Sequence, residues 1–156
     1  MKPFVVHVKS GCGTWGVEGT SEGVSRILLP NQKVPASKGD APKEVAECAR
    51  QLDEYLQGTR EKFKVKLAPV TATAFQRDVW DALCDIPYGH VATYADIAED
   101  IGRPLAMRAV GNANHNNPWP LLVPCHRVVA KGGIGGYGGG EEVKRFLLEL
   151  EGIDQY

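Results

Sequence analysis

The sequence predicts an α+β protein in two parts. Residues 1–68 read as a small antiparallel sheet with one helix, and residues 72–156 as a mainly helical domain containing a helix-turn-helix. Three observations carry this. Short β-prone runs separated by glycine-bearing turns fill the first thirty residues. Apolar residues at helical spacing dominate from Ala74 onward. Between the two lies Pro69–Thr73, whose composition is that of a linker.

Residues 3–9 and 14–19 read as strands, on Phe4–Val8 and Thr14–Glu18, with Ser10–Gly13 as the hairpin turn between them. Gly23–Pro30 reads as a third strand, closed by its proline. The polar stretch Asn31–Pro42, rich in Lys, Pro and Gly, reads as a loop. Val45, Cys48, Ala49, Leu52 and Leu56 mark one face of a helix that Gly58 ends. Lys62–Leu67 alternates strictly and predicts one more strand with a wet face.

The second part opens with a helix from Ala74 to Ile86 on Phe75, Val79, Trp80 and Leu83, stopped by Pro87-Tyr88-Gly89. Thr93 is then an N-cap with Asp96 in capping-box position. That helix runs to Ile101, with Gly102 at its C′ position. Pro104 suits the first turn of the next helix, over 104–114. Two short helices joined by about three residues make a helix-turn-helix. The second presents small residues, Ala106, Ala109, Gly111 and Ala113, beside Arg108. A helical glycine costs roughly 1 kcal/mol relative to alanine, so close approach to another backbone or tight core packing has to offset it. Val143, Phe146, Leu147 and Leu150 define a last helix, with Gly152 as its C′ residue.

Composition excludes several classes. Of 156 residues, 43% are hydrophobic and 24% charged, the balance of a globular chain rather than a disordered one. The longest apolar run, Trp119–Pro124, is far short of the ~20 residues of a membrane span, and the first nine residues lack a signal-peptide core. No membrane association is expected, and the cytoplasm is the expected location. Four cysteines at 12, 48, 84 and 125 are too sparse for a disulfide framework and wrongly spaced for structural zinc. Free thiols are the default, with a Cys12–Cys48 bridge left open.

The net charge of −1 gives no general support for a nucleic-acid partner. However, no acidic residue occurs between Asp100 and Glu141, a stretch that carries Arg103, Arg108, Arg127, Lys131, His115 and His126. Affinity for phosphate follows local charge. This strip is therefore either a phosphate-contacting surface or a chance feature of a loop-rich region.

The chemistry concentrates in Pro118–Val129. Three prolines in its first seven residues forbid a continuous helix and force Val123 toward an extended conformation. Cys125 and His126 therefore lie on an irregular, apolar segment. A cysteine there would be inert unless a base activates it. His126 is the candidate base, acting through a bridging water or a tight turn because adjacent side chains rarely meet directly. Glu151, a carboxylate opposing the dipole at its helix C-terminus, is the candidate that orients the imidazole. The loop Gly132–Gly140 has seven glycines in nine residues, with Ile134 and Tyr137 its large side chains. Such a backbone approaches a ligand closely and moves easily, but it lacks the ending of a phosphate loop.

Pro124-Cys-His-Arg-Val128, with Arg108–Gly111, Asn117-Pro118, Tyr88–Tyr94 and Leu147–Gly152, closely resembles the O6-alkylguanine-DNA alkyltransferases. The resemblance covers about residues 72–153; the N-terminal half matches in size and element pattern. It implies direct-reversal DNA repair in which Cys125 irreversibly accepts the alkyl group from guanine O6, or less well thymine O4. His126 would take the thiol proton through a water, Glu151 would orient His126, and Asn117 would hold the cysteine turn through the neighbourhood of Val128. Arg108 would fill the gap in the base stack, Tyr94 would crowd the 3′ phosphate and help rotate the nucleotide, and Ala106, Ala109 and Gly111 would line the helix entering the minor groove. The carbonyls of Cys125 and Val128, with Pro120, Tyr137 and Gly138, would form the base pocket. Gly138 stands where some relatives carry a serine that bonds guanine O6, so a backbone amide would have to substitute.

The same resemblance implies a monomer acting on double-stranded DNA that contains alkylated guanine, with no cofactor. Some relatives bind zinc, but His7, Cys12 and Cys48 form no convincing ligand set, and no metal is expected. Two other readings differ in class. A non-catalytic alkyltransferase-like lesion sensor typically replaces the cysteine that is present here as Cys125. A cysteine hydrolase with a Cys-His-Glu triad would leave Arg108 and the small-residue helix unexplained.

Overall fold

The computed structural model describes residues 2–156. The chain divides into two compact units, with the boundary between Val70 and Thr71.

In the first unit, β1 (Phe4–Ser10), β2 (Gly13–Thr20) and β3 (Gly23–Leu28) form an antiparallel meander in the order β1-β2-β3. The register shifts at Glu18/Gly19, where a bulge increases the local twist. Helix α1 (Lys43–Leu56) packs on this sheet. Its buried Val45, Cys48, Leu52 and Tyr55 share a core with Trp15, Val17, Val24 and Ile27. Gly58 follows the helix with a φ of 80°, the left-handed conformation expected of its position.

The strand predicted at Lys62–Leu67 does not form. The alternation is real: Phe63 and Val65 are half-buried and the lysines are exposed. The backbone groups, however, find other partners. The buried Gln51 side chain donates to Lys64 O (2.9 Å) and accepts from Lys64 N (2.8 Å), taking the place of a neighbouring strand. A bridge to Val24 reaches the sheet, through Val24 N to Lys66 O and Ala68 N to Val24 O. Gly23 (φ 126°) permits that approach, because a Cβ there would lie 2.8 Å from Lys66 O.

In the second unit, α2 (Ala74–Cys84) starts at a Thr73/Gln76 capping box. The two-residue β4 (Ala92–Thr93) leads into α3 (Tyr94–Asp100), which is capped by Thr93 and Asp96 in the predicted reciprocal arrangement. Ile101 ends it and Gly102 has a φ of 75°. The next helix, α4 (Met107–His115), begins three residues later than predicted. Pro104 lies in a turn closed by Ala106 N and Arg103 O instead of in the first helical turn. The connection of the helix-turn-helix is correspondingly longer than about three residues. A single 3-10 turn (Cys125–Arg127) precedes β5 (Val128–Val129), which pairs in parallel with β4.

Helix α5 (Glu141–Leu150) closes the unit, with Gly152 following at φ 82°. Its buried face is Val143, Lys144, Leu147 and Leu148, in place of the predicted set containing Phe146 and Leu150. The apolar spacing placed the face a residue off because it could not register a lysine as buried. Trp80 ties α2 to α4 by donating its indole N–H to Ala113 O (3.0 Å) and packs edge-on against Trp119.

Candidate active site

The cysteine turn is assembled from backbone constraints. Asn117, buried just after α4, accepts from Trp119 N (3.0 Å) and donates to Val123 O (2.8 Å). The bond expected near Val128 is thus made five residues earlier, on the approach to the cysteine. Between the two anchors, Leu121 adopts a φ of 76° with its side chain buried, a conformation costing on the order of 1–3 kcal/mol. Pro124 (φ −80°, ψ 66°) makes an inverse γ-turn, in which Cys125 N donates to Val123 O (2.8 Å). Val123 O therefore receives both Cys125 N and Asn117 Nδ2. Cys125 heads the following 3-10 turn and is 7% exposed.

His126 has no exposed surface, and its Nε2 donates to Glu151 Oε2 (2.6 Å). Arg127 Nε donates to Glu151 Oε1 (2.8 Å) and its Nη2 to Oε2 (3.1 Å). Gly89 N also donates to Oε1 (3.1 Å). Glu151 ends α5, where a carboxylate opposes the helix dipole. The arginine and the donors around it offset that placement. Arg127 further donates to Ile86 O (2.7 Å) and lies over the Tyr88 ring, while Tyr88 Oη donates to Leu150 O. The Pro87-Tyr-Gly89 stop after α2 is thereby fastened to the end of α5.

Burial raises the Cys125 thiol above its ordinary range, and it is opposed by hydrogen bonding from Asn117, the positive charge of Lys144 and the backbone amides of the turn. Burial also lowers the His126 pKa, against the pull of Glu151. A neutral imidazole next to a thiol is what proton acceptance requires. Burial raises the Tyr94 hydroxyl, which keeps its proton.

The other predicted residues fall into two groups. Tyr94, at the start of α3, donates to Gly136 O (3.4 Å). A Cβ on Gly135 would meet its ring at 3.2 Å, so the glycine-rich loop packs directly on it. Tyr137 is half-buried and Gly138 exposed on that loop. Val128 and Pro120 are buried, Pro120 bridging to Val123 before the cysteine turn. On α4, Arg108 and Ala109 are exposed and Ala106 and Gly111 half-buried. A Cβ on Gly111 would make only ordinary contact with Tyr94 (3.8 Å), so tight packing does not require a glycine there. Ala113, by contrast, is buried against Trp80 and does not share that surface. Nor do Arg127 and His126 belong to a positive strip, since both are buried around Glu151; Arg103, Arg108, His115 and Lys131 are exposed.

Sequence reasoning missed three features. Lys144 is fully buried, and only its interruption of the apolar face of α5 signalled it. Arg127 stands in the Pro-Cys-His-Arg-Val run, where nothing in its spacing distinguishes a buried partner of Glu151 from a member of the positive strip. Leu105 and Met107 are 96% and 50% exposed around Arg108, so the helix start is not uniformly small. Among the described residues, no helix is long and apolar enough to cross a membrane. Nor do three or more His, Cys, Asp or Glu side chains gather there to hold a metal ion.

Residues 74–153 match the family described as 6-O-methylguanine DNA methyltransferase, DNA binding domain. A methylated-DNA–protein-cysteine methyltransferase of Methanosarcina barkeri is 44% identical over 92% of this chain and 94% of its own. The chain belongs to the methylated-DNA–protein-cysteine methyltransferase family. The crystal structure of the Mycobacterium tuberculosis O6-methylguanine methyltransferase superposes with a TM-score of 0.83 at 36% identity, covering 96% of this chain and 92% of that one. That of Mycobacterium tuberculosis OGT in complex with DNA gives 0.83 at 37% identity, covering 97% and 93%. In this methyltransferase the family match runs from the first residue of α2 to just beyond Glu151, and so takes in every element that builds the cysteine turn.

Proposed function

We propose that this protein repairs DNA by direct reversal, moving the alkyl group of O6-alkylguanine, and less readily O4-alkylthymine, onto Cys125. The observation that carries the reading is the buried His126–Glu151 hydrogen bond (2.6 Å) immediately beside a buried cysteine. Cys125 Sγ bonds to the alkyl carbon as the carbon–O6 bond breaks, and the electron pair remains on the guanine. The thiol proton passes through a water to His126, whose second nitrogen is braced by Glu151. Tyr94, still protonated, is the donor to the departing base. The thioether has no leaving path, so each molecule reacts once.

The reacting atom lies inside the duplex, and the nucleotide must be extruded at a cost of a few kcal/mol. Arg108 on α4 fills the vacated place in the stack, while Ala106, Ala109 and Gly111 let that helix approach the minor groove, about 6 Å wide. The carbonyls of Cys125 and Val128, Pro120, Tyr137 and Gly138 enclose the extruded base, and Asn117 keeps the turn in shape. The Mycobacterium tuberculosis relative crystallised with DNA supports a DNA partner. The four free thiols suit a reducing cytoplasm, where the protein acts as a monomer without cofactor or metal.

The test is an intact-mass measurement after incubation with a duplex containing one O6-methylguanine, followed by peptide mapping. One methyl per protein on the Cys125 peptide, absent in Cys125→Ala, is expected. Tight lesion binding without a mass change would instead make the protein a lesion sensor. Neither binding nor transfer would refute both readings.

A further inference from the structure

Lys144 is a buried cation that the chemistry above leaves without a task. It emerges from the inner face of α5, and its Nζ donates to Val128 O (2.5 Å) and Gly136 O (3.1 Å). Val128 leaves the cysteine turn, and Gly136 is the middle of the glycine-rich loop. One ammonium thus joins the segment that carries Cys125 to the loop beside it. Among the described residues its partners are these two carbonyls, and no carboxylate pairs with it. A buried ammonium lacking an anion costs stability that a methionine of similar length would not. Departures of this kind are expected where function requires them.

The anion that does arise nearby is the Cys125 thiolate, and the two groups act on each other electrostatically. Lys144 also acts on His126. We propose that Lys144 is a positioning residue of the transfer reaction: its ammonium fixes the Val128 and Gly136 carbonyls as one frame beside Cys125 and supplies the positive charge that the thiolate meets as its proton leaves for His126. No bond to Lys144 forms or breaks. The inference rests on the alkyl-transfer reading above and adds a component to it.

The frame has a pH limit. Burial lowers the Lys144 ammonium from its ordinary 10.5 to about 8. The titratable groups facing it are Cys125 and His126 from the cysteine turn and the Tyr94 hydroxyl from α3, which shares Gly136 O. Arg127 and Glu151 pair with each other beyond His126. On α5 itself, Glu141 and Arg145 form an exposed pair. As pH rises through about 8, the ammonium is lost while the thiol still holds its proton.

The experiment is single-turnover methyl transfer from a duplex carrying one O6-methylguanine, followed from about pH 6 to 9.5. Wild type is expected to slow as pH rises through about 8. Lys144→Arg, whose charge persists, should stay within a few-fold of wild type below pH 8 and keep its rate above it. Lys144→Met should be about tenfold or more slower below pH 8, without the alkaline decline. Three results overturn the proposal: Lys144→Met reacting like wild type, both folded variants slowing equally with the wild-type pH dependence, or wild type showing no decline above pH 8. Should Lys144→Met fail to fold, the wild-type and Lys144→Arg profiles decide alone. Absence of any methyl transfer by wild type would remove the transfer reading and this inference with it, whereas the other failures leave that reading standing.

Discussion

Cys48 and Cys125 are both buried, each within its own unit, yet their surroundings differ in kind. Cys48 sits on the inner face of α1 between Val45 and Leu52. Burial pushes its thiol up to about 12, and the neighbouring Glu47 charge adds to the effect. Cys125 suffers the same burial, but an asparagine side chain, two backbone amides and a lysine charge act against it, and a neutral histidine follows it in the chain. Burial alone therefore makes a structural thiol. Burial with arranged donors makes a nucleophile whose charge forms only when the proton has somewhere to go.

The sharpest way to break this comparison is to remove each sulfur in turn. Cys125→Ser should abolish methyl transfer altogether. Cys48→Ser should leave one methyl per folded molecule, read by intact mass. Transfer that survives the first change or disappears in a folded second would mean that the wrong cysteine has been assigned.

Much of this contrast was legible in the sequence. The prolines around Cys125 announced an irregular backbone, and the helical spacing of Val45, Cys48 and Leu52 announced a core position. What the sequence could not convey is which long polar side chains turn inward. Gln51 stands in for a strand neighbour at Lys64, Arg127 pairs with Glu151, and Lys144 spans two carbonyls. Each breaks the polar-outside pattern because a specific backbone or charged group meets it in three dimensions, and none of those partners is a near neighbour in sequence. Helix boundaries that depend on local caps, such as Thr93 with Asp96, were readable. The start of α4 was not, because it has no side-chain cap and Pro104 serves a turn instead.

A second test weakens the arrangement around Cys125 while keeping its sulfur. Glu151→Gln leaves Arg127 buried without its anion and removes the charge that steadies His126. Loss of one partner from a buried ion pair costs about 3–5 kcal/mol, measurable as a fall in the denaturant midpoint. Transfer by the remaining folded protein should also slow. Unchanged stability would mean that the Arg127–Glu151 pair is solvated in solution.

A third test uses pH on the unreacted protein. Lys144 has a folded-state pKa of about 8, below its ordinary 10.5. Folding therefore disfavours its protonated form. This penalty is present in full below about pH 8 and shrinks as pH rises toward 10.5. Relative to Lys144→Met, wild type should gain stability across that window, as read by urea denaturation at a series of pH values. Parallel curves for the two proteins would show that the ammonium is not buried.

The smallest expected effect sharpens the other side of the comparison. If Cys48 is only a space-filling group, then its replacement should be governed by volume and polarity, not by charge. Cys48→Ala removes one heavy atom from a close-packed site and should cost about 1 kcal/mol. Cys48→Ser preserves the volume but places a hydroxyl where α1 meets the apolar sheet, so it should cost about 1–3 kcal/mol. The ordering matters more than either value. A serine better tolerated than an alanine would mean that the Cys48 pocket offers a hydrogen-bond partner. The difference between the two cysteines would then lie in the charged groups around Cys125 rather than in its polar contacts.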